Sequence, residues 1–471
     1  MQSGAFDEIR HRITRVLDGT DGGEADSWTA LDEDIRGALR YGVLPPAHIW
    51  FPGDDRNRRP ATWESAVALC GPDGRIREAA LAYVTAAPAL LPLAAIRCAD
   101  WAEQVRTRAR AVLEAELPGL LGQPGLPERP DPPGPRGPSG PSGLPGPPGP
   151  SPETFRTVAA VILRVAGRRY GDGATELLDR LLREGPEAGV TALRASRDRS
   201  VRRLAHRIAV DRGLLSPARL AAVATTDSDV VVQDLCASAL LAAIGTAGGT
   251  GPGTAGGTAG GMPLTRLLGA RQGRIRAAGV TGLRRAGRAG EAEPFLYDRS
   301  SLVRACARWV LRQAGTEPLP LYRAACAAGV GMPHRAPLGL AECGDRTTDE
   351  PLLWSLTGDE RPQVRAAAVA GLRVLDAVRP DRLAPLLADG SPRVVRETRR
   401  ALLPWADHHP VADLPRRTAV TPPPQRAPGA PTHPPEAGGA PPRDTAATTA
   451  PRPRAGIRRI LGFGGLLNRR R

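Results

Sequence analysis

The sequence predicts an all-α fold: a solenoid of stacked helix–turn–helix units with a period of about 30 residues, joined and interrupted by Pro/Gly-rich linkers. Three observations predict it. A pattern of Asp, Val-Arg, Ala and Leu recurs along the chain at helical spacing. Only 4% of the 471 residues are aromatic although 41% are hydrophobic, so Ala and Leu must fill the core. That composition suits close-packed helices better than a sheet. The 54 Gly and 49 Pro are clustered at 122–152, 246–261 and 404–456. The stretches between those clusters read as folded.

Taken in order, residues 1–121 form an N-terminal helical region with degenerate repeats. FDEIRHRITRVL (6–17) and WTALDEDIRGALRYG (28–42) are amphipathic helices. LPPAHIWFPGDDRNRRP (44–60) is a loop whose His48, Trp50 and Phe51 either line a small pocket or, more simply, plug the end of the stack. The linker 122–152 follows, with Gly at every third position from Gly134 to Gly149. Six Gly-X-Y triplets resemble collagen, which winds three chains together. The run is short, has proline at Y in only two triplets and has no trimerising heptads beside it. A polyproline-II spacer reaching about 55 Å, at ~3.1 Å per residue, is favoured over a trimer. It is expected to hold an acidic N-terminal unit apart from a basic array.

The array occupies 153–403. DWAEQVRTRARAVL (from Asp100), DSDVVVQDLCASAL (Asp227), DRSSLVRACARWVL (Asp298) and DERPQVRAAAVAGL (Asp359) align without gaps. In each, Asp is followed by Val at +5, Arg or Gln at +6, Ala or Cys at +9 and Leu at +13. Positions +5, +9 and +13 share one helix face, and the Asp stands where a carboxylate can cap a helix start. Looser copies are DRSVRRLAHRI at Asp198 with a shortened turn, GRIRAAGVTGL at Gly273, DGSPRVVRETRRALL at Asp389 with one extra residue, and DGRIREAALAYV at Asp73. Asp198 to Asp227 is 29 residues, Asp298 to Asp359 is 61, and Asp359 to Asp389 is 30. Shorter apolar helices precede the copies, at 217–224, 263–270, 349–356 and 381–388. One such pair cannot bury its apolar face alone, whereas stacked pairs can. The stretch 246–261 is a Gly-rich loop within the array.

The pattern resembles the HEAT-like repeats, in the short form named after phycobilisome lyases, across most of 153–403 and part of 61–116. The resemblance implies a ladder between adjacent repeats. It would use Asp100, Arg106, Asp298, Arg304, Asp359 and Arg365, with an interruption where Gln233 replaces Arg. No bilin-attachment signature accompanies it.

Charge is uneven. Residues 1–121 carry 14 Arg against 18 acids, 122–403 carry 39 against 27, and 404–471 carry 11 against 4. All 64 basic residues are Arg, and Arg, Ala, Gly and Pro share GC-rich codons. A high-GC bacterial genome, of the actinobacterial kind, accounts for this without special chemistry. The six cysteines form no CxxC pair and stand in Ala-rich helices, as buried free thiols would. With no apolar signal region at the start and no long apolar run, this points to the cytoplasm. The tail 404–456 has a disordered composition. It leads to AGIRRILGFGGLLNRRR, where Ile457, Arg458, Arg459, Ile460 and Leu461 make a candidate contact for a membrane surface or a partner groove.

No phosphate loop, GxSxG turn, metal-ligand spacing or acid/base pair is present, so no enzyme activity, cofactor or metal is expected. The function expected is a non-catalytic scaffold for an unidentified protein partner. The alternative is nucleic-acid binding through Arg202, Arg203, Arg284, Arg285, Arg288, Arg399 and Arg400, with strong salt dependence. A repeat-built glycosylase would need an exposed Trp beside an Asp, but Trp309 and Trp354 both fall on expected core faces.

Overall fold

The computed structural model describes residues 2–21, 24–49, 51, 59–120, 152–247, 261–329 and 331–405. The Gly-X-Y run, most of the linker 122–152, residues 248–260 of the Gly-rich loop, Trp50, and the tail with its 457–471 segment lie outside the described residues. Every long element among those described is a helix, and none of them is a strand.

The chain opens with α1 (Gln2–Leu17) and α2 (Ala25–Arg40). Pairs then follow: α3 (Thr62–Cys70) with α4 (Gly74–Ala80), α5 (Leu91–Arg97) with α6 (Glu103–Leu120), and α7 (Pro152–Val165) with α8 (Asp172–Glu184). Next come α9 (Glu187–Arg194) with α10 (Arg199–Asp211), α11 (Pro217–Thr226) with α12 (Val230–Ala247), and α13 (Gly261–Leu268) with α14 (Gly273–Arg285). A 3-10 segment, Ala289–Tyr297, takes the first-helix place before α15 (Ser301–Gln313). The last units are α16 (Pro318–Ala327) with α17 (Ala336–Ala341), α18 (Arg346–Leu356) with α19 (Pro362–Val374), and α20 (Pro380–Leu383), a 3-10 turn and α21 (Pro392–Leu402).

Second helices pack on second helices: α4 on α6, α10 on α12, α12 on α14, α14 on α15, α17 on α19 and α19 on α21. First helices do the same, as α5 with α7 and α11 with α13. This is an α-solenoid in two layers. The +5, +9 and +13 side chains fill the space between layers. Val303, Ala307 and Leu311 are buried, as are Val364, Ala368 and Leu372. Full burial of each Val or Leu contributes about 1.5–3 kcal/mol, which repeats along the array.

Three expectations change. The segments on either side of the linker are not held apart: α5 and α2 pack directly on α7, and one apolar core runs from Ile13 to Ile275. The ends of α6 and α7 lie within one stack, and their Leu117, Phe155 and Val158 need each other to leave water.

The copy at Asp389 has no extra residue. Val394 is the buried +5 side chain, and Val395 occupies the arginine place. Nor is the Asp198 copy shortened: Ser196 holds the first position, and Asp198 caps α10 by accepting the Ser200 and Val201 N–H groups at 2.8 and 3.0 Å. The frame is thus set by the apolar +5 residue and its neighbour, because burial tolerates no slip, while the leading position varies.

The +9 position is glycine in α14 for a packing reason. A Cβ on Gly279 would lie 2.9 Å from the Leu268 backbone nitrogen, and one on Gly282 would lie 2.7 Å from both Leu241 and Leu264. Helices α12, α13 and α14 therefore meet closer than side chains would allow.

Candidate interaction surface and the ladder beneath it

The ladder residues come together in a pattern the sequence did not show. At Arg77, Arg276 and Arg365 the +6 arginine faces two ways. Its Nη1 donates back to the carbonyls six and five residues earlier, in its own turn. Arg77 reaches Gly71 and Pro72 at 2.8 and 2.9 Å, Arg276 reaches Ala270 and Arg271 at 2.8 and 2.9 Å, and Arg365 reaches Asp359 and Glu360 at 2.8 and 3.0 Å. Nε and Nη2 then fork onto the carboxylate of the following unit. The pairs are Arg77–Asp100 at 2.9 and 2.8 Å, Arg276–Asp298 at 2.9 and 2.7 Å, and Arg365–Asp389 at 2.9 and 2.8 Å. Planar, two-pronged pairing is what a guanidinium offers and an ammonium does not. The aspartate in turn accepts an N–H two residues on, as Asp298 does from Ser300 at 2.7 Å and Asp389 from Ser391 at 2.8 Å. It braces the turn, while the helix N-cap is that residue two positions on, Ser300 or Ser391.

Asp298 with Arg304, and Asp359 with Arg365, are therefore not side-chain partners. Within one copy the arginine holds the aspartate's backbone, at 2.6 Å for Arg304 and 2.8 Å for Arg365. Arg106 likewise grips the Asp100 and Trp101 carbonyls at 2.8 and 2.9 Å. The next unit offers it Tyr170 in place of an acid, and its guanidinium lies 4.1 Å over that ring.

At Gln233 no guanidinium–carboxylate rung forms, although the side chain still reaches the next unit, its Oε1 accepting from Arg274. The Gln233 side-chain nitrogen donates to the Asp227 carbonyl, copying the backward grip, and the next unit has Ala270 where the acid would stand. The α16–α17 unit lacks the motif altogether, yet both neighbouring charges find substitutes. Arg304 forks onto Glu342 at the end of α17, with Nε at 3.0 Å. Asp359 is met by Arg361 of its own copy at 3.0 and 2.9 Å.

These contacts set the carboxylate acidities. The Arg365 guanidinium holds Asp389 below its ordinary range, and Arg361 does so for Asp359. At Asp298 burial pushes upward, but Arg276 and the Ser300 N–H outweigh it. Asp32, packed against Arg97 at 2.5 Å, is lowered against the same opposition from burial.

Little on the described surface is prepared for chemistry. All six cysteines are free, and burial pushes Cys98 and Cys326 up to about 12 and Cys236 to about 11. No group of three His, Cys, Asp or Glu among the described residues could hold a metal ion. A groove of about 880 Å³ between α2, α7 and the α9–α10 turn is polar. Several of its charges are paired, Arg164 with Asp26 at 2.8 Å and Arg156 with Glu153 at 2.5 Å. Among the described residues no helix is long and apolar enough to cross a membrane.

Of the seven arginines expected to make a basic surface, six are engaged within the fold. Arg202 is a ladder residue bonded to the Ser196 carbonyl at 2.9 Å, and Arg203 pairs with Asp229 at 3.0 Å. Arg285 donates to the Leu241 carbonyl at 2.8 Å, Arg288 forks onto Glu291 at 2.7 Å, and Arg400 meets Glu397 at 3.3 Å. Arg284 lies 5.2 Å over the ring of Trp309. Arg399 is exposed and joins no ion pair among the described residues.

The two tryptophans separate. Trp354 is buried, donates to Glu350 at 3.1 Å and lies under Arg382. Trp309, expected inside, is 45% exposed on the outer face of α15. Its position is +11, between the core positions +9 and +13 in sequence but across the helix from them. Leu302 on α15, Val231 on α12 and Val374 on α19 are exposed on the same layer. In the loop after α2, Phe51 packs edge-to-face on Tyr83 at 5.5 Å while His48 faces solvent, so the two do not line one pocket.

The class of protein this defines is a helical-repeat protein. No family model and no curated protein matches the chain. Among solved structures it is similar to the karyopherin Kap121p bound to the extreme C-terminus of the protein phosphatase Cdc14p, at 14% identity and a TM-score of 0.28 over 83% of this chain and 49% of that one. It is similar to Kap121p alone at 13% identity and a TM-score of 0.26, over 84% and 49%. For Kap121p bound to Nup53p the values are 13% and 0.22, over 73% and 41%. The chain thus spans about half the length of the structures it matches.

Proposed function

We propose that this protein is a non-catalytic scaffold of short HEAT-like repeats that binds a protein partner on its second-helix layer. One observation carries the proposal. Trp309 stands half out of the surface on α15, with the Arg284 guanidinium from α14 lying over its ring, and Leu302 exposed on the same helix. Partly exposed Trp and Arg are the side chains enriched at the energetic centres of protein interfaces. Leaving them in water costs free energy that a partner's apolar surface would recover. The free thiols, four of them buried and two partly so, suit a reducing compartment, and we propose the cytoplasm on that ground.

A photo-crosslinking side chain at position 309 tests this. The expected result is one discrete labelled protein in cell lysate, absent when the same side chain is placed at buried Leu311. No label at 309, or a smear of equal labels at both sites, overturns the scaffold. For the nucleic-acid alternative only the exposed Arg399 is left uncommitted among its seven arginines. A mobility-shift assay at two salt concentrations should show no salt-dependent shift.

A further inference from the structure

Helices α14 and α15 pack side by side in the second-helix layer, and neither contains an acidic residue. Together they carry seven arginines. Arg276, Arg304 and Arg308 are buried and draw their carboxylates, Asp298 and Glu342, from outside the two helices. On the outer side Arg274 and Arg312 meet Asp234 and Glu317 only at 3.5 and 3.6 Å, in pairs partly open to water. Such pairs are worth little. Arg284 joins no ion pair among the described residues, and its guanidinium lies 5.2 Å over the Trp309 ring. Through this basic field runs an apolar stripe. Leu302, Ala305 and Trp309 stand at i, i+3 and i+7 on the exposed face of α15. Leu302 and Trp309 are one above the other, about 10 Å apart at 1.5 Å per residue. The outward row of α14 beside them is low. Ala278 and Thr281 are half-buried, and the Thr281 hydroxyl donates to the Ala278 carbonyl at 2.8 Å.

We propose that the α14–α15 surface receives an amphipathic helix of the partner, with apolar side chains at i, i+3 and i+7 and with Asp or Glu flanking them. The inference rests on the protein-binding function above and names the chemistry of the partner. Spacing argues for a helix. Residues seven apart on a partner helix have the same separation as Leu302 and Trp309, and the small Ala305 between them leaves room for a facing side chain. Charge argues for acids. Carboxylates beside the stripe reach Arg284 and Arg312, which no acid of the described fold holds closely. Charge also sets aside a second copy of this chain as the occupant. A two-fold contact of stripe on stripe would bring Arg284 and Arg312 of the two copies together without an acid from either α14 or α15.

The test uses the full chain and three fluorescent helix-forming peptides of about five turns. One has Leu at i, i+3 and i+7 with Glu on the flanks, one has Lys in place of Glu, and one keeps Glu but scrambles the Leu positions. Anisotropy should show the first bound and the other two not. Trp309→Ala should weaken that binding about thirtyfold, as loss of a central aromatic anchor does. Ala305→Arg, which fills the space between the anchors, should do the same. Arg284→Glu should weaken the acidic peptide about tenfold and strengthen the Lys peptide. Arg399→Gln, on α21, should change nothing. The altered side chains are exposed, so melting temperatures should match the parent's. If Trp309→Ala melts early, Ala305→Arg decides. No binding of the acidic peptide, or equal binding of the Lys or scrambled one, overturns the inference. So does a dimer of the parent that Trp309→Ala dissolves in sedimentation, because a second copy then covers the stripe. Crosslinking at position 309 judges the scaffold separately: a labelled partner without preference for the acidic helix removes this inference and leaves the scaffold standing.

Discussion

Two apolar cores share this array, one running from Ile13 to Ile275 and the other from Leu264 to Leu402. They treat the same ion pair differently. In the first, Asp32, Arg97, Asp100 and Arg77 form a line of charges whose side chains are none more than 4% exposed. In the second, Arg365 and Asp389 keep 17% and 8% of their side chains in contact with solvent. Where the cores meet, at α12 to α14, the pair is missing from both sides, and glycine-mediated contact replaces it. The ladder is therefore not what holds neighbouring units together. Apolar packing does that throughout, and the charges set how costly an error becomes.

The largest effect should separate the two cores. Asp100→Ala strands the buried Arg77 fork, while Arg97 keeps Asp32, and should cost about 3–5 kcal/mol, the price of an uncompensated buried charge. Asp389→Ala leaves Arg365 able to reach water and should cost about 1–2 kcal/mol. Urea midpoints of the two variants measure the ratio, and equal losses would remove the distinction.

Acid comes next. Asp32, Asp298 and Asp389 are all held below their unfolded acidities. Their stabilisation is complete above the unfolded carboxylate range, about pH 4, and fades as pH falls through the lower folded values. Urea midpoints taken from pH 5 down to pH 2 should fall, and Asp298→Asn should flatten part of that slope.

The smallest effect tests the seam. Gln233→Arg alone gains no carboxylate and takes from Arg274 the acceptor that Gln233 offers it, and Ala270→Asp alone puts an unpaired carboxylate at a buried position, so each should cost about 1 kcal/mol. Together they should restore a rung and show a coupling of about 1 kcal/mol in a double-mutant cycle. Zero coupling would mean that the close approach at Gly279 and Gly282 has moved the two positions out of register.

What the sequence made legible follows from how local each feature is. The unit and its buried Val, Ala and Leu were readable because helix periodicity repeats within 13 residues. The Gln233 gap was readable for the same reason. The partners of each arginine were not, since a fork onto Asp100 or Asp298 joins residues 22 or 23 apart across a stacking interface. Arg77 and Arg276 did carry a signal, an apolar residue followed by Arg, in copies whose leading Asp had been lost. Glu342 carried none: it meets Arg304 from the far end of α17, in a unit with no motif. The exposure of Trp309 turned on one helical step, and the union of α5 with α7 on contacts that no local pattern encodes.

The backward grip has a bearing on biosynthesis. The guanidiniums of Arg77, Arg276 and Arg365 are oriented by carbonyls already present in their own turns, while the acids that complete them lie 22–24 residues further along. As the polypeptide leaves the ribosome, its newest unit presents a primed donor that only later synthesis can satisfy. Each such rung therefore closes only after the following unit has been made, and at Val395, apolar where another arginine would stand, there is no donor left to complete.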